Sequence, residues 1–210
     1  MDERPAPSPA DRLRELLARP GPLVLPCPYD ALSARLAVAE GFEAMFVGGY
    51  ASVASRFGFP GIGLASATEM LETARCIVRA ARGRPVLVDG DIGYGGDATV
   101  RRTVVDLAQA GADLLFMEAP RDEAEMRAFV AAAGDRPCLA NMLEGGATPI
   151  LPPERLAELG FRMVAYPISL LGAAALATRE ALGCLRAGRP VERRLSHAEL
   201  LEATGYEAPA

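Results

Sequence analysis

Residues 86–96 read VLVDGDIGYGG. The apolar run Val86-Leu87-Val88 passes directly into acid, glycine, acid, as a buried parallel strand does where it reaches its loop. With its neighbours this run makes one strand, 85–89 (PVLVD), and five others share its character: 23–27 (LVLPC), 44–48 (AMFVG), 114–118 (LLFME), 138–142 (CLANM) and 163–167 (MVAYP). Alanine- and leucine-rich amphipathic stretches lie between them, near 10–18, 30–40, 67–82, 98–110, 122–133, 153–159 and 169–187, with a short helix near 196–203. Strands alternating with helices in this way imply an α/β fold, a parallel sheet covered on its outside by helices.

Local signals support these boundaries. Asp30 can cap the helix ALSARLAVAE, which Gly41 ends. Ser66 with Glu69 forms a capping box before the next helix. The phrases EGFEAMFVGG, QAGADLLFME and ELGFRMVAYP repeat one seam, a helix end, a glycine and then a strand. No shift in composition divides the chain, so residues 1–210 read as one domain, with a polar, proline-rich leader over 1–11 and a tail with a short helix over 188–210.

Composition removes several kinds of chemistry. There is no lysine, so Schiff-base aldol chemistry and a P-loop lysine are excluded. The single histidine, His197, lies near the C-terminus, which excludes paired-histidine zinc sites and argues against a Ser-His-Asp triad. Cys27, Cys76, Cys138 and Cys184 form no CxxC pair and read as free thiols in a reducing cytoplasm. A net charge of −5 with scattered arginines argues against nucleic acid, and no apolar run is long enough to span a membrane. Carboxylates, backbone amides, arginines and a metal are left to carry any catalysis.

Those groups gather at strand ends. Asp89 and Asp91 stand two apart, so an extended backbone puts both carboxylates on one face, with alpha carbons ~7 Å apart. That spacing suits a hydrated magnesium, held by one carboxylate directly and by the other through water. Solvated loop acids or helix caps would read the same. The glycines at 90, 93 and 95 have the wrong order for a dinucleotide fingerprint and serve to bend the loop over a ligand. Glu118 ends the run LLFM and should face the mouth of the sheet, as a working acid or as a capping or paired one. Gly48 and Gly49 could present amides to an oxyanion or permit a tight turn. Tyr29, Tyr50, Asn141, Glu144 and Tyr166 are the remaining polar groups at strand ends, with strand-end packing or local backbone bonding as their plain alternatives.

Together, PYDALSARLAVAEGFEAMFVGGYASVAS, DGDIGYGG and ANMLEGGATPILPPERLAELGFRMVAYPISLL resemble the isocitrate lyase/phosphoenolpyruvate mutase superfamily, and LSHAELLEATGY resembles its terminal helix. The resemblance runs from about residue 12 to 206 and implies a TIM-barrel-like (βα) barrel. It implies Mg2+, for which Mn2+ can substitute, bound directly by Asp89 and through water by Asp91. It places the Tyr29 region and the Gly49 and Tyr50 amides against a 2-oxo-acid carboxylate, with Asn141 and Thr148 lining the substrate mouth. Two departures stand out. FPGIG has Gly61 where the family has an acid, and Ala112 runs directly into DLLFMEA. The family there has a metal-linked glutamate, its catalytic loop and a substrate-binding arginine. About two central βα units are therefore missing, which leaves a barrel shortened to about six strands.

The expected activity is a magnesium-dependent carbon–carbon lyase on a small 2-oxo dicarboxylate, oxaloacetate decarboxylase-like, through a metal-stabilised enolate, with Asp89, Tyr29 and Glu118 at its centre. The alternatives are a methylisocitrate- or phosphonopyruvate-type enzyme, or an inactive paralogue that binds a metabolite or a partner. Six strands would either close into a narrow barrel or stay open, with Phe46, Leu87, Phe116 and Met142 as bulky inward residues. The stripe Leu170, Leu171, Ala174, Leu176, Ala177 adds an apolar helix face, and a homo-oligomer is expected, with strand 85–89 beside strand 114–118 or beside a partner's strand.

Overall fold

The computed structural model describes residues 8–59, 65–89, 115–117, 119–133, 135 and 137–205. The expectations for Asp91, Glu118, Gly61, the loop glycines and the helix near 98–110 lie outside these residues. Six strands form on the six apolar runs: β1 Leu23–Pro26, β2 Met45–Val47, β3 Val86–Val88, β4 Leu115–Met117, β5 Cys138–Asn141 and β6 Met163–Tyr166. Eight helices are described: α1 Pro9–Ala18, α2 Ala31–Ala39, α3 Gly49–Phe57, α4 Ala67–Ala80, α5 Glu123–Ala133, α6 Pro153–Glu158, α7 Ser169–Arg186 and α8 His197–Thr204. The first of them starts at Pro9, inside the stretch expected to be a loose leader, where Ser8 accepts from the Asp11 amide as its N-cap.

All pairings are parallel. β4, β5, β6 and β1 form one sheet in that spatial order, and β2 pairs with β3. β2 also lies against β1, so the strands follow one another as in a (βα) barrel, with first and last strands paired. Among the described residues β3 and β4 do not pair with each other, so the expected neighbourhood of 85–89 and 114–118 within one chain is not formed. The ends still curl toward one another. Phe46 of β2 and Phe116 of β4 stack across the interior, ring centroids 6.2 Å apart and 4° from parallel.

Alternation sorts each strand between two cores. Leu25, Cys27, Ala44, Phe46, Leu139, Met163 and Ala165 fill the interior, with Leu87 packed beside them. Leu16 of α1 joins them and plugs the end where the strands begin, and there Arg162 donates to the carbonyls of Leu17 and Arg19. The opposite faces meet the helices. Met45, Val47 and Val86 pack on α2 and α4, while Ala140, Met142 and Val164 pack on α5 and α6. Each large buried side chain contributes about 1.5–3 kcal/mol. Met142 therefore points outward into the helix layer, not into the barrel as expected, because β5 places Leu139 on the inner face and Met142 is an odd number of residues away.

One helix was not anticipated. α3 starts on two glycines with no side-chain cap, so neither propensity nor a capping residue marks it, and only the left-handed Gly58 at its end gives a local signal (φ 76°). α7, like the short α8, has no buried residue, and its Leu182 and Leu185 are 60% and 62% exposed.

Gly160 sets the entry to β6. Its φ is +98°, and a Cβ there would come within 2.6 Å of Val130 Cγ1 on α5. Gly160→Ala should cost about 2–3 kcal/mol through backbone strain and overpacking, read as a lower urea midpoint. A midpoint equal to wild type would contradict the packing described for α5 and β6.

Candidate active site

The inward face of the strands continues past their C-terminal ends. Cys27 follows Leu25, Gly48 follows Phe46, Asp89 follows Leu87 and Asn141 follows Leu139, each two residues beyond an interior side chain. Alternation thus brings four strand ends to one mouth, the position where parallel βα folds build their sites.

Asp89 and the start of α3 are the best-defined part of it. The Asp89 amide donates to the Val47 carbonyl at 2.9 Å, extending the pairing of β2 with β3. This holds the half-buried Asp89 beside Gly48, the N-cap of α3. The Gly49 amide donates to Asp89 Oδ2 at 3.4 Å, a long bond at the positive end of a helix. Gly48 and Gly49 are buried, and Tyr50 turns outward, 45% exposed.

The other expected residues divide by location. Asn141 is buried at the end of β5, and Thr148 is buried in the loop that follows. The half-buried Tyr29 stands between β1 and α2, where its backbone amide donates to Ser33 Oγ at 3.1 Å. Burial raises the Tyr29 phenol above its ordinary value, and the Asp30 carboxylate adds to the rise, so it stays protonated at neutral pH. Asp30 itself is committed to capping α2, accepting from the Ser33 amide at 2.7 Å. Tyr166 packs outward against the α6 layer, away from the interior. Its phenol is raised by burial first and then by Glu144 and Glu154. The side chain of Glu144 accepts from Ser169 Oγ, which ties the loop after β5 to the first turn of α7.

Sequence reasoning missed Cys27 as a mouth residue: it shares the parity of Leu23 and Leu25 in LVLPC, but a strand apolar on both faces does not mark which face is the interior. Burial pushes its thiol up to about 12, the Tyr166 backbone pulls the other way, and the Glu144 charge adds to the rise. Cys27 is a neutral filler of the mouth at ordinary pH, not a thiolate.

Among the described residues no three metal-ligating side chains come together, and Asp91 and Glu118 lie outside them. The donor chemistry at the mouth still has a clear preference. A half-buried carboxylate, an amide side chain and a protonated thiol, with no histidine nearby, suit a hard oxygen-seeking cation and not a soft one.

The phosphoenolpyruvate phosphomutase family model matches residues 13–110. The chain is 30% identical over 248 aligned residues to 2-methylisocitrate lyase of Bacillus subtilis, covering 84% of this chain and 81% of that protein. It is 44% identical over 117 residues to oxaloacetate decarboxylase of a Bradyrhizobium strain, covering 56% of this chain and 38% of the other. Among solved structures, 2,3-dimethylmalate lyase superposes with a TM-score of 0.82 at 26% identity, covering 96% of this chain and 95% of that one. Oxaloacetate acetylhydrolase bound to 3,3-difluorooxalacetate gives 0.84 at 25% identity, covering 94% and 93%. An alignment of 248 positions exceeds the 210 residues of the chain, so the relative holds segments that this protein lacks. With six parallel strands in barrel order and these likenesses over most of its length, the chain belongs to the phosphoenolpyruvate mutase/isocitrate lyase superfamily, as a shortened member.

Proposed function

We propose that this protein is a magnesium-dependent carbon–carbon lyase that decarboxylates a small 2-oxo dicarboxylate of the oxaloacetate type. The observation that carries the reading is the Asp89 carboxylate seated beside the buried amide end of α3, on the inward face of the mouth. In this reading Asp89 binds the cation directly and Asp91 through water, with manganese able to substitute. The cation supplies stabilisation of the negative charge that develops on the 2-oxo oxygen when the carbon–carbon bond breaks. Gly48, Gly49 and Tyr50 receive a substrate carboxylate at the start of α3. Asn141 and Thr148 line the opposite side. Tyr29, held protonated by burial, can donate a hydrogen bond or a proton, and Glu118 is the second proposed catalytic acid. No thiolate or imidazole is required, which agrees with a buried neutral Cys27 and an exposed His197.

The likeness to 2-methylisocitrate lyase over 84% of the chain favours a second reading, cleavage of a methylisocitrate-type substrate. Product analysis separates the two, since that reaction would release two organic acids and no carbon dioxide. The reading also includes self-association in the cytoplasm, to which the four free thiols are suited. A second copy would cover α7, whose apolar residues the chain itself leaves in solvent. Light scattering at micromolar concentration should give at least twice the 22.1 kDa chain mass, and a monomer would remove this part.

Oxaloacetate turnover with and without magnesium tests the activity. Wild type should exceed Asp89→Ala by ~10²-fold or more, and His197→Gln should stay within a few-fold of wild type. Magnesium should raise the melting temperature of wild type and barely move that of Asp89→Asn. Equal rates or equal thermal shifts in wild type and the Asp89 variants would sink the proposal.

The thiol gives a separate pH test. The folded Cys27 value is raised from 9.0 to about 12, so its stabilising effect is complete below pH 9 and is lost as pH climbs toward 12. Wild type should therefore lose about 1 kcal/mol more than Cys27→Ala between pH 8 and pH 10 in urea unfolding. Iodoacetamide at pH 8.5 should label the exposed Cys76 and leave Cys27 unmodified until the protein unfolds.

A further inference from the structure

α3 depends on a distant residue for its first turn. Its N-cap is a glycine with no side chain, so nothing local satisfies the first amides. The Gly49 amide turns instead to Asp89, forty residues along the chain. One turn into the same helix, Ser52 is 1% exposed and its hydroxyl has no partner among the described residues. This end of α3 therefore keeps more polar capacity than the packing of the fold uses.

The bond between Gly49 and Asp89 sets two proposed roles against each other. An amide has one proton to give, and Gly49 N–H cannot serve Asp89 and a substrate carboxylate equally. Charge makes the conflict sharper than geometry does. A carboxylate arriving at Gly49 would stand a few ångströms from the Asp89 carboxylate, and two anions so placed repel unless a cation lies between them. The bond itself, at 3.4 Å, is long enough to be given up at small cost.

We infer that Asp89 is an internal plug of the anion site: it occupies the amide end of α3 until a divalent cation draws its charge away, so that cation binding opens the site and must precede the carboxylate. This rests on the proposed function for the roles of Asp89 and Gly49, and it adds the order in which they are filled. It also reverses the ordinary expectation for a metal ligand. If the cation acts only by touching the substrate, removing the charge of Asp89 weakens anion binding. If Asp89 is a plug, neutralising it opens the site without any metal.

Acetate, a monocarboxylate that chelates magnesium weakly, is the probe, and the Gly49 amide resonance of the full-length protein is the readout. In wild type, magnesium should shift that resonance in the absence of acetate and should tighten acetate at least fivefold, within the usual range of coupling between sites. In metal-free buffer, Asp89→Asn should bind acetate at least fivefold more tightly than wild type, and magnesium should change its affinity less than twofold. Asp89→Ala, which has no amide to offer Gly49, should behave the same way, and the dispersion of each spectrum checks its fold. Acetate binding to both variants no tighter than to metal-free wild type would overturn the inference, as would a Gly49 resonance indifferent to magnesium. The two proposals fail separately. Absence of oxaloacetate turnover with the magnesium–acetate linkage intact removes only the activity, while magnesium-dependent turnover with a silent Gly49 removes only the plug.

Discussion

The structure depends on the period of two along strands that are covered on both faces. Each strand must send alternate side chains into a narrow interior and the rest into a helix layer, and both destinations are apolar. A one-residue slip in β1 would exchange Leu25 and Cys27 for Val24 and Pro26 on the inner face and would break the packing on α1 at the base. The same constraint builds the mouth. Once Leu25, Phe46, Leu87 and Leu139 are inward, Cys27, Gly48, Asp89 and Asn141 follow on that face with no further choice.

Among the described residues this arrangement is interrupted at one place. β3 and β4 each pair on one side only among the described residues, and Val88 and Phe116 are correspondingly open to solvent. The stack of Phe46 on Phe116 shows that the inner faces of β2 and β4 meet. Aromatic rings bring large area and a preferred offset geometry, so one such pair can span a distance that two aliphatic side chains would leave empty. The mouth keeps its β1, β2, β3 and β5 contributions under these conditions, because each is set by its own strand and not by closure of the ring.

Among the described residues, electrostatics at the mouth centres on Asp89. There is no lysine, the one histidine is exposed on α8, and the end of α3 is one positive influence on Asp89. Burial meanwhile holds Tyr29 and Cys27 in their neutral forms. A hard cation fits the described donors of the mouth, where the state of the Asp89 carboxylate should govern the amide end of α3.

The six strands and seven of the eight described helices were legible in the sequence, because they rest on local signals: apolar runs, the Asp30 cap, the Ser66–Glu69 box and the glycines at helix ends. The limits on chemistry were legible as well, since a residue type that is absent cannot be supplied by folding. α3 was not, because a helix that begins on two glycines borrows its cap from a strand forty residues away. Nor was the direction of Met142 and Tyr166, because a strand apolar on both faces carries no mark of which face is the interior. The sequence by itself determined the order of elements and the set of groups available at the strand ends. Only the tertiary structure decided which of those groups share the mouth and that Asp89 reaches α3, because parity becomes direction only when one face is packed on Leu16 and the other on helices.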